Sequence, residues 1–285
     1  MTWWCSATGK AWTWTWQAYP GVWIFVALLA AGYVALRRLG SAGPAGRADD
    51  RVDEPPSAWW GGLGLAATWL ALDWPVGALG AGYLASVHTV SYILLSLIAP
   101  PLLLRGVPAQ SIRALLVRPF WRAMLRFLAR PPIALCLYTV VLLVTHVPDV
   151  VDSAMQSQLG AFAIDLAWLL AGLVMWWPVL APQPEVLRLS RPLKMLYLFV
   201  GTLPTIVPSA FLTFADYPLY AVYELAPRVV PTFTAQQDQQ VAGLTMKIVG
   251  DLPVWLAFGI IFFRWAAEEQ RRAPPPVHPS AARPG

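Results

Sequence analysis

The stretch from Leu79 to Gly106 constrains this chain more than any other. It is apolar over more than the roughly 20 residues that a helix needs to cross a bilayer. In its middle sits His88. An ionisable side chain at that depth is costly, so it marks a candidate functional site. Tyr92 follows one turn later on the same helical face. The rest of the composition agrees with a membrane setting. Hydrophobic residues make up 58% of the chain and charged residues 12%, where a soluble domain carries about one quarter charged. The reading is an all-α protein, a polytopic transmembrane helix bundle.

Taken in order, the apolar segments predict about seven spans: 20–36, 57–72, 79–106, 131–146, 159–180, 192–214 and 239–265. Three units follow. Residues 1–19 are expected to form an outer interfacial segment, because tryptophans such as Trp12, Trp14 and Trp16 favour the membrane–water boundary. They lack the compact apolar core of a signal peptide. Residues 20–265 form the membrane domain, and 266–285 a Pro-rich, disordered cytoplasmic tail. Pro100 and Pro101 are expected to bend or end the third span, and Pro204 and Pro208 to kink the sixth. Residues 108–130 differ from the spans. Arg118, Arg122, Arg126 and Arg130 are spaced four apart, a stripe on one amphipathic cytoplasmic surface helix whose arginines meet anionic headgroups or, as the alternative, dock a partner's acidic loop.

The placement of Lys and Arg predicts orientation. Arg37, Arg38, Arg47 and Arg51 follow the first span, and Arg105 with Arg113 to Arg130 follow the third. Arg188, Arg191 and Lys194 follow the fifth, and Arg264, Arg271, Arg272 and Arg283 the seventh. The opposite side has only Lys10 and Arg228. The N-terminus is therefore expected outside and the C-terminus in the cytoplasm. The basic balance is topogenic and does not point to nucleic acid. Two cysteines, Cys5 and Cys136, offer no disulfide framework.

His88, Asp165 and Lys247 fall in the outer half of spans three, five and seven, counted at about 1.5 Å per residue. His146 closes span four at the same face, and Asp149, Asp152, Asp216 and Asp238 lie in outer loops or at helix mouths. These groups are expected to converge on one outward-facing region. His88 reads either as a buried histidine bonded to a neighbouring helix or as a metal ligand. His146 reads as an interfacial residue or a second ligand. Asp165 is a third ligand or a counter-charge to Lys247, and Lys247 also pairs naturally with Asp251 at i, i+4. Tyr92 and Met246 read first as packing, with a binding role as the alternative. Imidazole and soft sulfur suit copper(I). No Gly-rich phosphate loop, nucleophile elbow or His-Glu-x-x-His appears, so nothing here argues for an enzyme.

Several motifs, in order, carry a resemblance. They are Trp14-Thr-Trp-Gln-Ala-Tyr-Pro with Leu36-Arg-Arg-Leu-Gly, His88-Thr-Val-Ser-Tyr-Ile-Leu-Leu with Ile98-Ala-Pro-Pro-Leu-Leu-Leu-Arg-Gly-Val-Pro, and Thr145-His-Val-Pro. Leu170-Ala-Gly-Leu-Val-Met-Trp-Trp-Pro-Val-Leu, Leu212-Thr-Phe-Ala and Asp238-Gln-Gln-Val-Ala-Gly-Leu-Thr-Met complete the set. From about Trp12 to Trp265 the chain resembles the CtaG-like cytochrome c oxidase assembly proteins, seven-span proteins of bacterial membranes. The resemblance implies a membrane assembly factor for a heme–copper oxidase, in the bacterial plasma (inner) membrane, with an oxidase subunit as partner and copper delivery or insertion as its task. Only His88 and His146 carry over as ligands. Tyr92 stands where that pattern has a second histidine, Ala161 and Asp165 where it has a histidine pair, and Lys247 where it commonly has Trp. Two rivals remain at this point: a transporter for copper or another small solute, and a metal-free scaffold for an oxidase subunit.

Overall fold

The computed structural model describes residues 2–41, 57–180 and 189–272. These residues form helices and their connections throughout. In chain order the helices are α1 (Pro20–Ser41), α2 (Ala58–Leu72), α3 (Val76–Gly82), α4 (Ala85–Ile93), a π-helical turn at Leu94–Ile98, and α5 (Ala99–Arg105). Next come α6 (Ala109–Leu116), α7 (Pro119–Leu128), α8 (Pro131–Val144), α9 (Pro148–Met155) and α10 (Gln158–Leu180). Last are α11 (Arg191–Thr202), α12 (Ile206–Phe214), α13 (Ala221–Glu224) and α14 (Ala235–Arg272). Among the described residues five helices are long and apolar enough to cross a bilayer, or seven if two bent pairs each count as one span. The pairs are α2–α3, bent by 43°, and α7–α8, bent by 75°.

The central stretch is not one helix. Leu79–Gly82 belongs to α3, and the chain turns at Tyr83 and Leu84 before α4 begins. The cause lies far along the sequence. The Asp238 carboxylate, on α14, accepts the backbone N–H groups of Ala85 (2.6 Å) and Ser86 (3.1 Å) and the Ser86 hydroxyl (2.5 Å). A helix start has orphan N–H donors and a partial positive charge. A buried carboxylate from another helix satisfies both here and fixes where α4 begins. α3 packs back on α4 closely enough that a Cβ at Gly80 would lie 3.0 Å from the His88 backbone nitrogen. The glycine therefore lets α3 approach His88.

Pro100 and Pro101 neither end nor sharply break the span. They occupy the first turn of α5, directly after the π-helical turn. A proline removes a backbone donor and crowds the carbonyl four residues earlier, and the wider turn absorbs that mismatch. The turn presses on α10, where a Cβ at Gly172 would fall 2.7 Å from the Pro100 ring. In the sixth span the expected kink is a break between α11 and α12 at Leu203–Thr205, around Pro204.

Three further expectations change. The arginine stripe does not lie on one helix: α6 and α7 are separate, Arg118 precedes α7, and Arg130 precedes α8, so only Arg122 and Arg126 are within α7. The loop after His146 contains α9. The last helix continues to Arg272, past the expected start of the tail at 266. Residues 42–56, with Arg47 and Arg51, residues 273–285, with Arg283, and Arg188 lie outside the described residues.

The N-terminal segment is only partly superficial. Trp14 and Trp16 are 67% and 61% exposed, but Trp4 and Cys5 are 1% and 3% exposed. The backbone N–H groups of Trp3 and Trp4 donate to Gln158 Oε1 at 2.6 and 3.2 Å, and Ala7 N–H donates to Met155 O at 2.8 Å. Tyr83 OH donates to Lys10 O at 2.9 Å. Residues 2–10 thus form a strap across one end of the bundle. Buried desolvation, then the nearby Asp165 and Asp73 carboxylates, push the Cys5 thiol well above the usual thiol range.

Candidate functional site

Three elements bring His88, Tyr92 and His146 around one indole. α4 carries His88 and Tyr92, the residue pair after α8 carries Thr145 and His146, and α10 carries Trp168. Trp168 is fully buried, and its Nε1–H donates to Thr145 Oγ1 at 2.8 Å. The ring centroid of His88 lies 4.8 Å from that of Trp168, Tyr92 5.4 Å and His146 6.1 Å. Tyr92 and His146 also meet edge to face at 5.3 Å. Tyr223, from α13, approaches His88 at 5.8 Å and donates its hydroxyl to Gly80 O at 2.7 Å. The hydroxyls of Tyr92 and Tyr138 lie 2.5 Å apart.

Within this aromatic box the two imidazoles stand out. The Nε2 atoms of both His88 and His146 are buried without a hydrogen-bond partner. In His146, Nδ1 donates to Leu142 O at 2.7 Å. That fixes the proton on Nδ1 and leaves Nε2 as a bare lone pair, the arrangement that makes a neutral imidazole a metal ligand or a hydrogen-bond acceptor. An unpaired buried nitrogen is otherwise a cost with no return. Beside His146, an apolar cavity of about 470 Å³ opens between the end of α8 and α12, walled by Leu143, Val207, Phe211 and Tyr220.

The carboxylates at this end behave differently. Asp165 Oδ2 accepts the Trp4 indole N–H at 2.8 Å. Asp73 accepts the indoles of Trp69 (2.7 Å) and Trp23 (3.1 Å). Asp152 accepts the N–H groups of Ala221 (3.1 Å) and Val222 (2.9 Å) at the start of α13. Asp238 caps α4 as described above. Asp165, Asp152 and Asp238 thus hold a strap or a helix start, whereas Asp149 and Asp216 are exposed. Asp165 Oδ2 is bonded to the strap rather than to either imidazole. Among the described residues no group of three His, Cys, Asp or Glu gathers in a way that could hold a metal ion.

Lys247 and Asp251, on α14, bond to each other rather than to the histidines. Their side chains form an ion pair at 2.7 Å. Lys247 Nζ also donates to Thr202 O at 3.3 Å and to Thr205 Oγ1 at 3.4 Å, at the break between α11 and α12. Met246 is fully buried in the main apolar core. Of the residues singled out from sequence, the fold brings His88, Tyr92 and His146 together. Asp165, Asp238 and the Lys247–Asp251 pair are bonded elsewhere. Trp168, Tyr223 and Trp4 were not singled out. The available signal for Trp168 was a tryptophan placed mid-span, away from the interfacial belts that tryptophan favours.

Comparison with known proteins places this chain in a family. No solved structure matches the chain. An uncharacterised protein of Mycobacterium bovis and one of Mycobacterium tuberculosis are each 25% identical to it over 269 residues, covering 86% of this chain and 38% of theirs. The chain thus spans about two fifths of the length of the curated relatives it matches. The family model for the cytochrome c oxidase caa3 assembly factor matches residues 27–268, the membrane bundle nearly end to end. With its multi-span helical architecture and that match, the chain belongs to the cytochrome c oxidase caa3 assembly factor family.

Proposed function

We propose that this protein holds a subunit of cytochrome c oxidase, during assembly, at the end of the bundle that bears His88 and His146. We place that end outside, with the N-terminus outward and the C-terminus in the cytoplasm. The support for this orientation is the concentration of Lys and Arg at the other end. The observation that carries the site is the pair of buried imidazoles whose Nε2 atoms have no partner. Copper, in this reading, is cargo rather than a resident cofactor. Two neutral nitrogens suit a soft copper ion, and Asp165, held by Trp4, supplies no third ligand.

The test is a deletion strain complemented with the parent or with the double variant His88→Ala, His146→Ala. Expected is a loss of assembled oxidase and of its copper in the deletion strain, restored by the parent. Normal oxidase in the deletion strain overturns the assembly role. Copper bound to purified protein should fall in the double variant. Unchanged copper removes the imidazoles from the ligand set and favours a metal-free scaffold.

A second reading, transport of copper or another small solute, rests on the polar cluster at the α11–α12 break. Broken helices lined by carbonyls and charged side chains recur at transporter sites. It requires vesicle uptake that disappears with Lys247→Met, and absence of uptake by the parent protein rejects it.

A further inference from the structure

At the opposite end of the bundle, α6 and α7 form a surface that the oxidase reading does not use. α6 is anchored: Ile112 and Leu116 pack with Val107 against Tyr33 and Leu36 of α1. Leu125 ties α7 to the same cluster. α7 itself has no buried residue. Phe120 is 68% exposed, Phe127 52% and Trp121 36%.

Two geometric facts give this exposure a meaning. First, α7 and α8 together are apolar enough to span, yet they are bent by 75°. If α8 crosses the bilayer, α7 runs nearly across its axis, along the membrane plane. Second, the residues of α7 divide around the helix. At about 100° per residue, Arg122 and Arg126 share one arc, whereas Phe120, Met124 and Phe127 lie roughly opposite. Arg118 and Arg130 flank the helix at its two ends.

The charge is one-sided. No acidic residue occurs between Asp73 and Asp149. Arg118, Arg126 and Arg130 are exposed and make no side-chain hydrogen bond or ion pair with the described residues. Arg122 is different, because its Nε–H donates to Leu116 O at 2.7 Å and steadies the α6–α7 turn. A helix in the membrane plane with aromatics on one arc and arginines on the other seats its rings among acyl chains and its cations among headgroups. Basic side chains next to an anionic leaflet are attracted to it, and the attraction is screened within a Debye length.

We propose that α7, with Arg118 and Arg130 at its ends, is a docking surface for anionic phospholipid headgroups, and that it draws such lipids in preference to zwitterionic ones. The occupant is lipid rather than an acidic protein loop, because the aromatic arc shares the helix with the arginines and needs a hydrocarbon phase beside the charge.

The test uses the full chain in vesicles of mixed phosphatidylglycerol and phosphatidylcholine. A fluorophore is placed at Phe120→Cys in a Cys136→Ser background, and quenching is compared between brominated phosphatidylglycerol and brominated phosphatidylcholine at equal mole fraction. Stronger quenching by the anionic lipid is expected, and high salt should reduce the difference. Arg118→Gln, Arg126→Gln and Arg130→Gln combined should cut the preference by about fivefold or more, since each basic residue contributes about that factor near a charged leaflet. The matching Lys substitutions should retain it, which separates charge from misfolding. Equal quenching by the two lipids in the parent, or a preference untouched by the three Gln substitutions, overturns the proposal. So does its abolition by free inorganic phosphate at constant ionic strength, or better protection of the label by an acidic peptide or oligonucleotide than by the anionic vesicles. None of these outcomes bears on the oxidase site, which lies at the other end of α8.

Discussion

At the end of the bundle around His88 and His146, four carboxylates, Asp73, Asp152, Asp165 and Asp238, are bonded to indoles or to backbone N–H. At the end around α6 and α7, the charges are arginines turned outward, and the rings beside them are exposed. The first end uses polar groups to join segments that are distant in sequence: Trp4 to Asp165, Asp238 to Ala85, Asp152 to Ala221. The second leaves Arg118, Arg126 and Arg130 exposed, their side chains unbonded among the described residues, while Arg37 and Arg105 reach Gly106 O and the Trp60 ring. The lesson is that a polar residue at a membrane boundary signals a site only when its bonding capacity is left over. By that measure the two imidazoles qualify, as does one buried oxygen of Asp73, whereas Asp152 and Asp238, with both oxygens bonded, do not.

The contrast is broken most severely at Trp168. Trp168→Ala should cost about 3–5 kcal/mol, in the range for a large aromatic removed from a core, and should collapse the box around both histidines. Thermal unfolding of the purified protein in detergent measures it, and a loss below about 1 kcal/mol would show that the indole is not the hub. Asp238→Ala comes next. It strips the α4 start of its cap and leaves buried donors unpaired, for about 2–3 kcal/mol. A variant as stable as the parent would mean that α4 begins without the carboxylate.

Trp4→Phe keeps the ring and deletes the N–H to Asp165. The expected cost is about 1–2 kcal/mol, from a buried acceptor left without its donor. The same variant should loosen the strap. Cys5, neutral and buried in the parent, should resist maleimide even at mildly alkaline pH, because its thiol titrates above the usual range. Its labelling should speed up in Trp4→Phe, in a Cys136→Ser background. Equal rates would mean that the strap does not depend on the indole–carboxylate bond. The smallest effect belongs to the far end: Arg118→Gln, Arg126→Gln and Arg130→Gln should each alter stability by no more than about 0.5 kcal/mol. A larger loss would show that these arginines serve the fold after all.

Much of this was legible in the sequence where local pattern decides. The apolar segments mark the spans, the arginines mark one end, and His88, Tyr92 and His146 do meet. What stayed hidden depends on partners remote along the chain. Leu79 to Gly106 reads as one span because nothing inside it announces a break; the break is set by Asp238. Trp4 reads as an interfacial anchor because its partner, Asp165, lies on α10. Asp165 reads as a ligand or counter-charge for the same reason. The stripe from Arg118 to Arg130 has helical spacing, but Pro119 and Pro131 each favour a fresh helix start, and the chain takes both.

The carboxylate that seats the fourth helix has a consequence for how the molecule is made. It lies on α14, 153 residues after the N–H that it accepts, so a ribosome threads the intervening helices before that seat exists. The strap waits likewise for α10. Insertion into the bilayer therefore precedes closure of the histidine box, and a nascent chain stalled before residue 238 would hold its segments in the membrane with His88 not yet locked in place.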